Sequence, residues 1–231
     1  MKRRKSEFFY GSFHRSRKYR KKVKREKKQT RAHNKRLLSK YPWLTPYNVW
    51  TGKLASDYNY DYISVWDDIP LGWITAFGEM MCQEITDALA EDNLQNKVYV
   101  EQAKEKYGQL RIYMSGNSKS LRIIDKYSAI SENVCIRCGR PHSPMLNTGW
   151  ICPECKHCFE IGQKKHPYKG TYEDYAPKDK EQWKIPNELK WNHFSKDEGD
   201  RIETMDITET VKKIEDRWNA LHPDRKDEWF T

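Results

Sequence analysis

Two Cys-x-x-Cys pairs, Cys135-Ile-Arg-Cys138-Gly139 and Cys152-Pro-Glu-Cys155, lie thirteen residues apart. They constrain the fold more than any other feature of the chain. A Cys-x-x-Cys turn presents two thiolates to one ion, and two such turns complete a tetrahedron of soft ligands. Gly139 supplies the permissive backbone that a tight turn after the second thiolate requires. The spacing predicts a zinc site made by Cys135, Cys138, Cys152 and Cys155 on a small zinc ribbon over 134–160. Cys158, His142 and His157 stand nearby as replacement ligands. The symmetric pair already closes a four-ligand shell, so Cys158 reads as a spare thiol. Iron–sulfur ligation, which also uses four thiolates, is the alternative. A redox dithiol would need one pair inside a βαβ pattern, and none is seen here. Five of the six cysteines fall in this segment, as expected for metal binding in a reducing compartment rather than a disulfide framework. Cys82, isolated, reads as a small core residue.

Charge divides the rest of the chain. Residues 1–40 hold 18 Lys/Arg and two acids, whereas residues 41–231 hold 25 basic and 31 acidic groups. The N-terminal segment therefore reads as a basic arm, disordered or transiently helical until it meets an anion, because Val23, Ala32, Leu37 and Leu38 are too few for a buried face. Its cations, Arg15, Arg17, Lys18, Arg20, Lys21, Lys22, Lys24, Arg25, Lys27, Lys28 and Arg31, can neutralise phosphates and release counterions. Phe8, Phe9, Tyr10, Phe13 and Tyr19 can stack on bases. DNA or RNA is thus the expected partner. A solvated tail or an acidic protein partner is the alternative.

Between arm and cysteines the pattern is helix, hairpin, helix. Residues 71–90 place Trp73, Phe77, Met81, Ile74, Ile85, Leu89 and Leu71 on one half of a helical wheel, with Asp67, Asp68 and Pro70 at the start. Val98–Lys106 and Gln109–Met114 read as strands joined at Tyr107-Gly108. A helix over 119–131 follows, with Leu121, Ile124 and Tyr127 inward. Lys104, Lys106, Arg111 and Tyr113, interspersed with Glu101 and Glu105, read as a mixed-charge surface. Beyond the cysteines, 161–205 reads as a Trp-containing loop region and 206–231 as a C-terminal helix and tail. In that last helix, Ile207, Val211, Ile214, Trp218 and Leu221 recur at helical spacing, and Asp206 and Glu209 form a capping box. Trp43, Leu44, Tyr47 and Trp50 are expected to dock on the body. The fold class is α+β: a 41–133 body, an inserted zinc ribbon, a disordered basic arm and a C-terminal helix.

Lys104-Glu-Lys-Tyr-Gly-Gln-Leu-Arg-Ile-Tyr113, the four cysteines with Gly149-Trp150 between them, and Ile69-Pro70-Leu71-Gly72-Trp73 together resemble a group of small tailed-phage and prophage proteins. The resemblance covers about 66–158 and departs at Gln109, where a second glycine is usual. It implies the fold and a phage setting and assigns no activity. No deaminase, zincin, phosphate-loop, nucleophile-elbow or dinucleotide motif is present. The function expected is a non-enzymatic phage accessory protein that binds nucleic acid or a ribonucleoprotein. One alternative is a factor gripping a host or phage protein, a polymerase or virion component, through the ribbon and Trp-rich tail. Another is a nuclease built of scattered acids. With no apolar stretch of membrane length and no signal-like N-terminus, the expected location is the host cytoplasm, with the virion as an alternative.

Overall fold

The computed structural model describes residues 32–45, 47–48, 51, 53–54, 65–193 and 201–225. The architecture is α+β: among the described residues, four two-stranded antiparallel hairpins are interspersed with helices. Its centre is α2, which runs as Leu71–Trp73, a π-helical turn over Ile74–Gly78, and Glu79–Glu91. The wheel drawn from sequence holds for Trp73, Phe77, Met81, Ile85 and Leu89, all nearly inaccessible, and Cys82 is buried among them. Leu71 is the exception, standing 70% exposed at the helix start, where no element lies over it.

Strands β3 (Val100–Lys106) and β4 (Gln109–Met114) form the expected hairpin. Lys106 pairs with Gln109, leaving Tyr107 (φ 54°) and Gly108 (φ 79°) as a two-residue turn with both φ positive. Leu110 faces inward, Ile112 and Met114 are half-buried, and Arg111 and Tyr113 face out. Helix α3 (Ser118–Ser131) is capped by Asn117, whose Oδ1 accepts from the Ser120 amide at 2.8 Å. The same amide group donates through Nδ2 to the Ala88 carbonyl at 2.7 Å, so one side chain starts α3 and closes α2. The buried stripe of α3 is Ile123, Ile124, Tyr127 and Ile130, and Leu121 stands 40% exposed instead of inward. Lys126 bridges α2 and α3 through Glu84, which also accepts from the Tyr127 hydroxyl at 2.9 Å.

Two expectations are corrected at either end. Residues 32–40 form a helix, α1, and its adjacent Leu37 and Leu38 enter the main core, so the end of the arm does have a buried edge. Trp43 follows, fully buried, with its indole N–H donating to Thr86 Oγ1 at 2.9 Å. Tyr47, in the short hairpin of β1 (Tyr47–Asn48) and β2 (Lys53–Leu54), stacks on Tyr99 at 6.0 Å. Trp50 lies outside the described residues.

The region 161–205 is not a long loop. It contains the end of a helix, a helical turn α5 (Tyr172–Tyr175), a 3-10 turn at Lys180–Trp183, and the hairpin of β7 (Glu188–His193) and β8 (Arg201–Asp206). Trp183 packs edge-on to Tyr172, beside Phe159 and Leu146, in a second small core. Helix α6 (Thr208–Leu221) buries Val211, Ile214 and Trp218, with Ile207 just ahead of it. Leu221, in the last turn, is 53% exposed. The expected capping box is not formed: Ile207 takes the N-cap position, Asp206 accepts from the Thr208 amide at 2.8 Å, and Glu209 pairs with Lys213. No helix among the described residues is long and apolar enough to cross a membrane.

Candidate metal centre

The first knuckle is shaped by its backbone. The Cys135 amide donates to the Arg140 carbonyl (2.8 Å) and the Gly139 amide to the Cys135 carbonyl (2.9 Å), with Gly139 at φ +82°. The knuckle rests on the start of α2. The Gly72 amide donates to the Ile136 carbonyl at 3.1 Å, and the Trp73 indole donates to the Val134 carbonyl at 2.9 Å in the buried interior. A methyl at Gly72 would overlap the Cys135 and Ile136 carbonyls, and one at Gly139 would meet the Gly72 carbonyl at 2.6 Å. Both glycines are therefore close-approach residues, which explains the glycine of the Ile-Pro-Leu-Gly-Trp motif.

The hairpin of β5 (Met145–Asn147) and β6 (Ile151–Pro153) then returns the chain to the knuckle. The Ile136 amide donates to the Pro153 carbonyl at 2.8 Å. Helix α4 (Lys156–Lys165) starts immediately after, with Cys155 at its N-cap position in extended backbone and Cys158 three residues on. A helix stacks its first turn, so Cys155 and Cys158 present both thiols to one side.

The structure accordingly brings together Cys135, Cys138, Cys155 and Cys158, whose sulfur atoms all lie within 4.8 Å of one another. Cys152 is not among them, a correction to the ligand set expected from spacing. The reason is local geometry. Cys152 sits in β6 opposite Leu146, and three residues of extended chain carry it roughly 10 Å from Cys155. Symmetry of spacing favoured Cys152. The signal that would have favoured Cys158 is the helix beginning at Lys156, which makes Cys155-x-x-Cys158 a helical first turn. Cys152 is instead a buried wall residue beneath the β3–β4 turn, its thiol pushed up to about 12 by burial.

Neither histidine competes. His142 is held by two partners, its Nδ1 accepting from the Ile185 amide (3.2 Å) and its Nε2 bonded to Glu215 (2.7 Å). His157 is exposed and outside the thiol group.

The donor set fits a metal ion. Four sulfurs at about 2.3 Å from a zinc ion define edges of roughly 3.8 Å. The Cys138 and Cys155 sulfurs are 3.6 Å apart. Cys135 and Cys155 are nearly inaccessible and Cys158 is 8% exposed. The Cys155 thiol is held well below its ordinary value because the Cys135, Cys138 and Cys158 thiols hydrogen-bond to it, while burial pushes Cys135 up. Cys155 also stands at the N-terminal end of α4, where the helix amides favour a thiolate. Beside it the buried Glu154 carboxylate pairs with Arg137. Around a bound zinc ion, four thiol ligands would fill a tetrahedral shell and leave no position for water.

The arm cations named above, Arg15 to Arg31, lie outside the described residues. Of the hairpin cations, Lys104 and Lys106 stand 5.3 and 5.6 Å from the Tyr113 and Tyr107 ring centroids. Burial raises the carboxyl pKa values of Asp125 and Glu132, and the nearby Arg111 cation opposes that rise without cancelling it. Compared with known proteins, the chain matches no family model, no curated protein and no solved structure.

Proposed function

We propose that this is a non-enzymatic nucleic-acid-binding accessory protein of the phage type its motifs resemble, with a structural zinc ion at Cys135, Cys138, Cys155 and Cys158. The observation that carries the reading is the pairing of a closed four-thiol group with a sharply segregated charge. The cysteines are spent on holding the knuckle, the β5–β6 hairpin and α4 together, and the strongest chemical signal left is the 18 Lys/Arg of residues 1–40. Zinc, when bound, supplies cross-linking without redox chemistry. The arm supplies phosphate contacts whose affinity depends steeply on salt.

The test is titration of labelled 30-mer DNA duplex and single-stranded RNA with the full chain between 50 and 200 mM salt (about the range where counterion release is read). A variant with Lys21, Lys22, Lys24, Arg25, Lys27 and Lys28 changed to Gln is run beside it. The log K against log salt slope should be shallower by about 4–5 in the variant. Wild-type binding that is absent, or unchanged by the six substitutions, refutes the reading.

A second reading, capture of a protein partner by the cysteine module, is favoured by one observation. Trp150, at the turn between β5 and β6, is 64% exposed, and Tyr107, at the turn of the hairpin packed beside it, is 72% exposed. The C-terminal tryptophans lend it less support, because Trp183 and Trp218 are buried in the protein itself.

A further inference from the structure

The geometry points to a second phosphate-binding element in the folded body, a basic groove between α1 and α6 that continues the arm. The inference rests on the nucleic-acid reading above and gives the arm a fixed track to lead into.

Two adjoining cavities of about 380 and 290 Å³ share Lys40, Glu79 and Arg217 in their walls. From α1 come His33, Arg36 and Lys40, at i, i+3 and i+7. From α6 come Lys213 and Arg217, at i and i+4. Each set falls on one face of its helix, so two cationic stripes line a common trough. Among the described residues, Glu79 is the one acid lining either cavity, and it is matched by Lys40 at 2.9 Å. Glu209, on the turn before Lys213, pairs with it at 2.7 Å from an 81% exposed position, where such a pair is weak and easily exchanged for a phosphate. The floor is apolar, with Trp66, Ile74 and Phe77 contributing.

A second, independent feature lies under the groove. The π-helical turn Ile74–Gly78 forms its floor, and the Thr75 carbonyl accepts from Arg217 Nε at 2.5 Å. That bond holds the guanidinium across the trough with its terminal nitrogens uncommitted to this carbonyl. π-turns inside α-helices recur at functional sites, where they offset a helix face to shape a binding surface. Here the turn meets α6, and its Ile74, Ala76 and Phe77 line the same cavities as the cations.

The occupant that fits is a phosphodiester backbone. Guanidinium and ammonium groups in two rows suit successive phosphates, and the apolar floor suits a sugar or base edge. Position supports it too. In sequence, the basic run ending at Arg31 is followed immediately by α1, one wall of the groove. An arm that wraps nucleic acid would lay the strand against this face of the body.

The experiment compares the full-length protein with its Arg36→Ala/Lys213→Ala variant, which spares the Arg217–Thr75 bond, and with Arg217→Ala. Each is titrated against the same DNA duplex and single-stranded RNA, and the better-bound strand identifies the source of the phosphates. Lys164→Ala/Lys165→Ala removes equal charge at the far end of α4 and serves as control, and circular dichroism checks each fold. For Arg36→Ala/Lys213→Ala, affinity should fall about tenfold and the salt slope should be shallower by about 1.5–2, with the control unchanged. Wild-type affinity and slope in both groove variants would overturn the groove while leaving arm binding intact. An equal loss in the control would reduce the effect to net charge and overturn it as well. A wild-type chain that binds neither strand would overturn both readings.

Discussion

At Gly72 the whole cysteine module is seated by the absence of one carbon atom. Its amide reaches the Ile136 carbonyl, and a methyl there would collide with backbone oxygens that cannot swing away. Gly72→Ala should therefore cost about 2–3 kcal/mol of stability, measured by thermal unfolding, and should weaken metal retention in the same samples. Gly108 has a parallel role at the other contact. Its φ of +79° closes the hairpin turn, and an added methyl would run into the Met145 sulfur, a flexible neighbour. Gly108→Ala should lower the melting temperature mainly through backbone strain of about 1 kcal/mol, and Met145→Ala should not rescue it. Gly139 was legible from sequence because its turn is local. The role of Gly72 was not, because the carbonyls it meets belong to a segment far along the chain. The ligand error has the same root: Cys152 and Cys158 flank Cys155 at equal spacing, and only the switch from strand to helix between them chooses.

Elements differ in how plainly they were written. The turn and second strand of the β3–β4 hairpin could be read to the residue, since Tyr107-Gly108 and the alternation after it are local signals, whereas β3 starts at Val100 and not at Val98. Helices α2, α3 and α6 were each placed correctly in their middles and misjudged at one terminal leucine. Leu71, Leu121 and Leu221 keep the helical period yet lie beyond the neighbouring element's reach. The β7–β8 hairpin escaped notice because only Leu189 and Trp191 alternate with polar residues in β7, while in β8 the apolar Ile202 and Met205 are three residues apart and break the period of two. Where β4 meets α3, Glu132 accepts from Gln109 and is half-buried, and burial raises its pKa above the ordinary 4.5 despite Arg111. A carboxyl raised in the folded state favours folding most below its unfolded pKa, and that advantage is lost as pH rises through the folded value. Glu132→Gln keeps a hydrogen-bonding oxygen and removes the buried charge. It should raise the melting temperature at pH 7, with the gain vanishing below about pH 4. A gain that is constant across that range would place the carboxyl's environment wrongly.

For the molecule as a whole, the four-thiol group is the clasp between two halves. The knuckle is bonded to the start of α2, Pro153 to the knuckle, and α4 to a second core of Leu146, Phe159, Tyr172 and Trp183. His142 adds a tie to Ile185 and to Glu215 on α6. Chelation should therefore loosen the second core first. In hydrogen exchange, amides of 134–165 and 172–183 should lose protection on chelator treatment, while those of α2 and α3 hold on longer. Composition showed the division between basic arm and acidic body at once, and the cysteines announced a metal. What joins them, the helix α1 and the groove it forms with α6, depends on packing between the two ends of the chain, which no local pattern encodes. The most direct test of the account is the metal content of the purified chain and of its Cys158→Ser and Cys152→Ser variants, by inductively coupled plasma mass spectrometry. One equivalent of zinc should be found in the wild type and in Cys152→Ser, and little or none in Cys158→Ser. Retention by Cys158→Ser with loss from Cys152→Ser, or no metal in the wild type, would contradict it.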